Sequence, residues 1–443
     1  MEEVILLGIF VVMEIALLVI TFTKQQEKSQ WYQNRTLIRG GEVILFLLAL
    51  LLPQITWDFR FKMCFWVLII RLFTAGIIYI CKHKKATGRK SKVAVILNVI
   101  FSIILLTVSM IPAFLFTGYA GLETTGTYDV KMTKAILVDE NRVETFENDG
   151  SNREVPIYFY YPDTENTGTE SFPLIIFSHG AFGYYQSNTS TYMELASHGY
   201  VVISMDHPYH SFFTEDTEGN LITVDPEFMQ EVMLVNQEDI SEEEVFNLSR
   251  KWMEIRTGDM NFVLDSVKEA VDDDTQVDEW FVESEEVKNA ITDLLSMINT
   301  EKIGLMGHSM GGATSVTIGR TRDDISAVID LDGTMLGEQI GYENGEYQYY
   351  EDAYPVPLMV VDNEEHYKQG DDSGLLYVNG FILENAVEST HTYIAGSGHM
   401  NFTDLPLFSP VLSSLLGTGT VDATECVLEM NEMVLQFFDT YLK

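Results

Sequence analysis

Read for hydropathy alone, the chain opens with four apolar runs and then changes character. Residues 4–22 are apolar apart from Glu14, and residues 43–57, 61–81 and 93–116 follow; the run at 43–57 is the short one and holds Pro53 and Gln54. Apolar stretches near 20 residues have the length of a membrane-crossing helix, so residues 1–118 are expected to form a transmembrane domain of about four helices. Met1-Glu2-Glu3 lacks the basic start of a cleaved signal peptide, and the first helix is expected to be a retained anchor. Glu14 and Arg71 fall in the middle of their runs, where a lone charge costs about 2.5–3.5 kcal/mol, and they are expected to pair between helices.

From Tyr128 onward the pattern is that of strands. Short apolar runs at 130–137, 155–161, 172–177, 200–205, 303–306, 327–331, 357–361 and 391–395 read as strands, with a helix at 191–198 ended by Gly199 and a closing helix at about 422–441. Alternation of strand, helix and strand predicts an α/β domain over 128–443 with a largely parallel sheet. Between Asp206 and Ile303 there are more residues than one crossover needs. Ser241-Glu242-Glu243-Glu244 forms a capping box that opens a long helix through Trp252 and Phe262, so residues of about 211–300 read as a cap insertion. Residues 119–127 form a polar linker that reaches about 33 Å at most and keeps the α/β domain near the membrane.

Charge sharpens this division. The net charge is −39, but residues 1–118 hold 13 Lys and Arg against 6 Asp and Glu, while the remainder holds 14 against 60. The acidic part repels nucleic acid and anionic head groups, and no nucleic-acid partner is expected. Basic residues concentrate after the first and third apolar runs, from Lys24 to Arg39 and from Lys82 to Lys92. Such loops stay in the cytoplasm, so four spans would place the α/β domain outside the cell. The three cysteines, Cys64, Cys81 and Cys426, cannot build a disulfide framework within the acidic part.

The chemistry centres on Gly307-His308-Ser309-Met310-Gly311, which follows a strand and opens a small-residue helix. A G-x-S-x-G turn in that context is a nucleophile elbow of an α/β-hydrolase, and it lifts Ser309 into a cleft. A serine hydroxyl needs a histidine to take its proton and a carboxylate to hold that histidine, in the chain order Ser, Asp, His. His399 lies in the small-residue loop after the last strand and is the expected base. Asp332 ends one strand and Asp362 the next, and spacing does not separate them. The elbow supplies an oxyanion donor from the backbone of Met310, and the second is expected from Ala181, after His179-Gly180. His179, His308 and His391 are assigned structural places, and His207 and His210 a loop wall. No cofactor and no metal are expected, including at Asp272-Asp273-Asp274, which fits no calcium-loop pattern.

The catalytic part resembles the platelet-activating factor acetylhydrolase family, the plasma and intracellular type II lipid esterases. The matching stretches are Phe177 to Gly180, Leu195 to Val202, Gly307 to Thr314, Leu331 to Met335 and Gly396 to Phe402. The resemblance implies Ser309 as nucleophile, Asp332 as acid, His399 as base and an oxyanion hole of Ala181 and Met310. It implies calcium-independent hydrolysis of short or oxidised sn-2 acyl groups from phospholipids, and together with the helices read from hydropathy this leads to the expectation of a membrane-anchored serine esterase. A general carboxylesterase, lipase or peptidase is the alternative, and a silent membrane scaffold a further one. The membrane helices and residues 210–299 depart from the family pattern.

Overall fold

The computed structural model describes the chain except residues 1, 25, 53, 54, 56, 165–169, 237–239 and 374–377, together with the side chains of residues 236 and 371–373. The chain divides into two compact units. One comprises Met1–Ala120 with Leu407–Leu412, the other Gly121–Pro406 with Ser413–Lys443.

The first unit is built on helices α1 (Glu2–Thr23), α2 (Lys28–Ala49), α3 (Phe59–Lys82), α4 (Lys92–Ser109) and the short α5 (Ile111–Leu115). Three helical stretches are long and apolar enough to cross a membrane, Glu2–Thr23, Phe59–Lys85 and Lys92–Ser109. The expected helix at 43–57 is not formed as such. Helix α2 starts fifteen residues earlier and stops at Ala49, ahead of Pro53, which cannot continue a helix; Pro53 and Gln54 lie outside the described residues. The run at 93–116 also divides, with α5 beginning after Met110 and carrying Pro112 in its first turn, where its missing N–H does no harm.

Helix α2 escapes a hydropathy reading because its charges face inward. Trp31, Arg35, Arg39, Glu42, Val43 and Phe46 are all buried. Arg71 on α3 bonds Glu14 on α1, the pair expected from the sequence. It also pairs with Glu42, its Nη1 lying 3.0 Å from Oε2 and its Nη2 donating to Oε1 at 3.5 Å. Arg39 donates to Ser102 Oγ at 3.0 Å and approaches Glu14 at 3.8 Å. Two carboxylates and two guanidiniums thus offset one another among apolar helices, which lowers the cost that each would carry alone.

Beyond residue 121 the chain forms, in order, β1 (Val130–Val143), β2 (Asn152–Pro162), β3 (Phe172–Ser178), α6 (Thr189–Ser197), β4 (Val201–Met205), β5 (Phe213–Glu215), β6 (Leu221–Thr223), α7 (Pro226–Asn236), α8 (Glu242–Asp272), α9 (Glu285–Leu295), β7 (Ile298–His308), α10 (Met310–Thr321), β8 (Ile325–Leu331), β9 (Gln339–Glu343), β10 (Glu346–Tyr349), β11 (Leu358–Asn363), α11 (Glu364–Ser373), α12 (Val378–Glu384), β12 (Ser389–Ile394), α13 (Leu405–Phe408), α14 (Pro410–Leu416) and α15 (Ala423–Leu442), all of it in the second unit except Leu407–Leu412. Eight strands form one sheet in the order β1-β2-β4-β3-β7-β8-β11-β12. Neighbours are parallel from β4 onward, and β2 is antiparallel to both β1 and β4. Strand β3 is buried at all its positions, as a central parallel strand covered on both faces must be.

The segment expected as a cap has two parts. Ser241 caps α8 through a hydrogen bond from the Glu244 N–H, and the far half of α8 with α9 belongs to the main core through Met260, Val263, Leu264, Val267, Ile291 and Leu294. The β5–β6 hairpin, α7 and the near half of α8 lie outside that core. Phe228, Val232 and Trp252 there pack with Met310, Ala181 and Phe182 in a separate apolar cluster. That cluster adjoins the elbow, so these elements wall the site.

Candidate active site

Strand β7 runs straight into Ser309, whose φ of 56° and ψ of −123° put a non-glycine residue in strained backbone. The strain is imposed by close packing of strand and helix. A Cβ on Gly307 would lie 2.2 Å from the Gly311 carbonyl carbon, and one on Gly311 would lie 1.9 Å from the Ser178 carbonyl oxygen, so neither position admits a side chain. The Ser309 N–H donates to Leu331 O at 2.8 Å, which fastens the elbow to the end of β8. Gly180 passes directly beside it, since a Cβ there would be 3.2 Å from that of Ser309.

Asp332 follows β8 with φ of 55° and is 3% exposed. Its Oδ2 accepts from His399 Nδ1 at 2.6 Å and its Oδ1 from His366 Nδ1 at 2.9 Å. Asn363 adds its backbone N–H at 2.8 Å and its side-chain amide at 2.8 and 3.0 Å. Burial disfavours the charge on Asp332, yet the hydrogen bonds from His366 and His399 hold its pKa well below the usual carboxylate range. Asp362, the other carboxylate considered, is buried and bonded to His391 at 2.7 Å. Burial raises its pKa. The chain therefore brings Asp332, and not Asp362, to His399.

His399 opens a 3-10 turn beyond β12. Its carbonyl accepts from His308 Nε2 at 3.1 Å, and the two rings lie 4.6 Å apart. Because His308 adjoins Ser309, this contact holds the His399 loop over the elbow. The described residues offer one grouping of possible metal ligands, Asp332, His366 and His399, within 4.8 Å of one another. In this hydrogen-bonded arrangement both Nδ1 atoms carry protons toward the carboxylate and present no lone pair.

Met310 is the first residue of α10, so its N–H is among those that a helix leaves unpaired. The Ala181 loop is held from behind by a buried network that no short motif announces. Arg256 on α8, fully buried, donates to His179 O at 2.5 Å and to Gly180 O at 3.2 Å. His207 accepts from Ser178 Oγ at 2.8 Å and donates to Asp259 at 3.0 Å, with Arg153 bonded to the same carboxylate at 2.8 Å. The set Ser178, His207 and Asp259 imitates a catalytic triad, but all three are sealed from solvent. His179 bonds Ser211 at 2.8 Å and His210 bonds Arg256 at 3.3 Å.

Arg256 fixes the two peptide planes ahead of Ala181. Arg256→Gln is expected to lower kcat for p-nitrophenyl acetate roughly tenfold to hundredfold while changing KM less, because misplacing an oxyanion donor weakens only transition-state binding. Steady-state kinetics checks this; a change confined to KM would count against it.

Burial also pushes His207 down to about 4 and His308 down to about 3, from an ordinary 6.5, helped by the charges of Arg256 and His399 respectively. A histidine held neutral in the fold contributes stability that is complete above the unfolded pKa. That stability is lost as the pH falls from about 6.5 toward the folded value. Thermal midpoints are therefore expected to drop between pH 7 and pH 5, and to drop less in His308→Gln. The difference isolates His308 from Asp206 and Asp404, whose raised values of about 7 and about 6 act in the opposite sense.

The sheet order and the strand-to-helix elbow define an α/β-hydrolase fold. A ferulic acid esterase from Streptomyces cinnamoneus is similar to it, with a TM-score of 0.51 and 19% identity over 72% of this chain and 92% of that one. Residues 154–443 match the family described as platelet-activating factor acetylhydrolase, isoform II, and the chain belongs to that family. Similar relatives include the platelet-activating factor acetylhydrolase of Cavia porcellus, 24% identical over 62% of this chain and 58% of that protein. The Gallus gallus enzyme is 22% identical over 62% and 63%. A probable 1-alkyl-2-acetylglycerophosphocholine esterase of Arthroderma benhamiae is 22% identical over 59% and 57%. The chain thus spans about three fifths of the length of these relatives.

Proposed function

We propose that the protein is a membrane-anchored serine esterase acting on short or oxidised sn-2 acyl groups of phospholipids. The observation that carries the reading is the His399–Asp332 hydrogen bond of 2.6 Å beside the strained backbone of Ser309. Ser309 Oγ bonds to the acyl carbonyl carbon while His399 Nε2 takes its proton. Asp332 keeps the proton on His399 Nδ1 and stabilises the imidazolium. The N–H groups of Ala181 and Met310 receive the oxyanion, and as the bond from the acyl carbon to the lysolipid oxygen breaks, that oxygen takes the proton from His399 and leaves as the hydroxyl. Water, deprotonated by the same imidazole, then adds to the acyl carbon; the bond to Ser309 Oγ breaks, the acid leaves, and His399 returns the proton to Ser309.

The substrate class is supported by the names of the relatives and by the apolar wall of Phe182, Phe228, Val232 and Trp252. The anchor is supported by three helices of sufficient length and apolarity and by the inward charges of α2, which would let it serve as a fourth span. With four spans the basic loops lie in the cytoplasm and the hydrolase outside.

The test is hydrolysis by detergent-purified protein of 2-acetyl and long-chain sn-2 phosphatidylcholines, with p-nitrophenyl acetate alongside. Preference for the short sn-2 chain supports the reading. Ester cleavage without phospholipid turnover would leave a general carboxylesterase.

A further inference from the structure

One end of the helical unit holds a concentration of unpaired donors. The Lys28 N–H donates to Gly88 O at 3.0 Å and the backbones of Glu27 and Arg89 form an antiparallel bridge, which brings the α1–α2 and α3–α4 connections together. There the Arg35 guanidinium lies 4.9 Å from the centre of the Trp31 ring, and Lys90 Nζ lies 4.4 Å from the same ring. Trp31 is 1% exposed and Arg35 6%. Trp31 Nε1 and Arg35 Nε are both buried without a hydrogen-bond partner among the described residues. One and two turns deeper the carboxylates of Glu14 and Glu42 are taken by Arg39 and Arg71. Among the described residues no carboxylate forms an ion pair with Arg35, and Glu14 acts on it only from a distance.

A buried guanidinium without an anion and a buried indole N–H without an acceptor are each unfavourable. The groups at the Trp31 ring, the Arg35 guanidinium, Lys90 Nζ and the indole N–H, are all donors, and Lys28 and Lys82 are close enough to Lys90 to act on it electrostatically. What completes such a site is an anion with several acceptor oxygens. We propose that Trp31, Arg35 and Lys90 bind the phosphate of an anionic phospholipid head group. The lipid source follows from the membrane reading under Proposed function, on which this inference rests. A basic pocket between helices at the cytoplasmic end of a membrane unit meets such lipids in the inner leaflet. The site is separate in chemistry from the acidic hydrolase unit, which repels the same lipids.

The test uses full-length protein in neutral detergent, titrated with phosphatidylglycerol, phosphatidylcholine or inorganic phosphate, with lipid retention read by native mass spectrometry and unfolding by temperature. Phosphatidylglycerol is expected to be retained and to raise the thermal midpoint by about a few degrees. Phosphatidylcholine should do neither. Arg35→Gln and Trp31→Phe should each weaken retention, Arg35→Gln by about fivefold or more. Inorganic phosphate reproducing the whole shift would keep the site and make its occupant a soluble anion. Equal response to the two lipids, or unchanged retention in an Arg35→Gln protein of unaltered gel-filtration profile, would overturn the proposal. Trp31→Phe decides the matter if Arg35→Gln does not fold. Release of the native chain from membranes by alkaline carbonate would instead refute the membrane reading, a separate failure.

Discussion

Ser309→Ala is expected to lower kcat for any ester that the protein hydrolyses by about a millionfold, with KM little changed, and to abolish labelling by a fluorophosphonate. The size follows from the loss of the atom that bonds to the carbonyl carbon; what remains is the rate supported by the oxyanion donors and binding alone. The variant should fold as the wild type does, because the strain at φ of 56° belongs to the backbone and alanine meets it as serine does. Ser178→Ala supplies the contrast. Ser178 has its own histidine and aspartate, yet it is fully buried in β3, so its loss should leave labelling intact. Labelling that survives Ser309→Ala would refute the elbow as the site of attack.

Asp332→Asn should lower kcat by about 10⁴-fold. The carboxylate accepts from two imidazoles and from both nitrogens of Asn363. An amide would turn an NH₂ toward these donors and favour the wrong tautomer of His399. Asp362→Asn should affect kcat far less, since Asp362 bonds His391 instead. Steady-state kinetics of the two variants on one ester separates them, and equal losses would contradict the assignment. A drop in thermal midpoint is expected for Asp332→Asn as well, because its hydrogen-bonded charge stabilises the fold at neutral pH.

The elbow was legible because its requirements are local. Glycines at Gly307 and Gly311 are demanded by contacts within one turn of chain and the strand beside it. The central strands were legible for a similar reason, as burial on both faces leaves nearly unbroken apolar runs. His399 could be proposed from its place after the last strand. The partners that orient these residues left no such trace. Arg256 meets its carbonyls across 77 and 76 residues, and His366 meets Asp332 across 34; a single arginine in a long helix or a histidine after a strand looks like any other. Helix α2 was misread for a related cause. Hydropathy averages over all faces of a helix, so charges turned toward Glu14 and Arg71 count the same as charges facing lipid.

By itself, then, the sequence determined the elements and the chemistry that depends on near neighbours: apolar segments, an α/β alternation, the strained serine and an acidic hydrolase part set against a basic helical one. Which carboxylate reaches His399, which helix faces which, and which arginine holds the carbonyls of His179 and Gly180 were decided only by tertiary structure. Those contacts join residues far apart in the chain, and spacing along a sequence carries no record of direction in space.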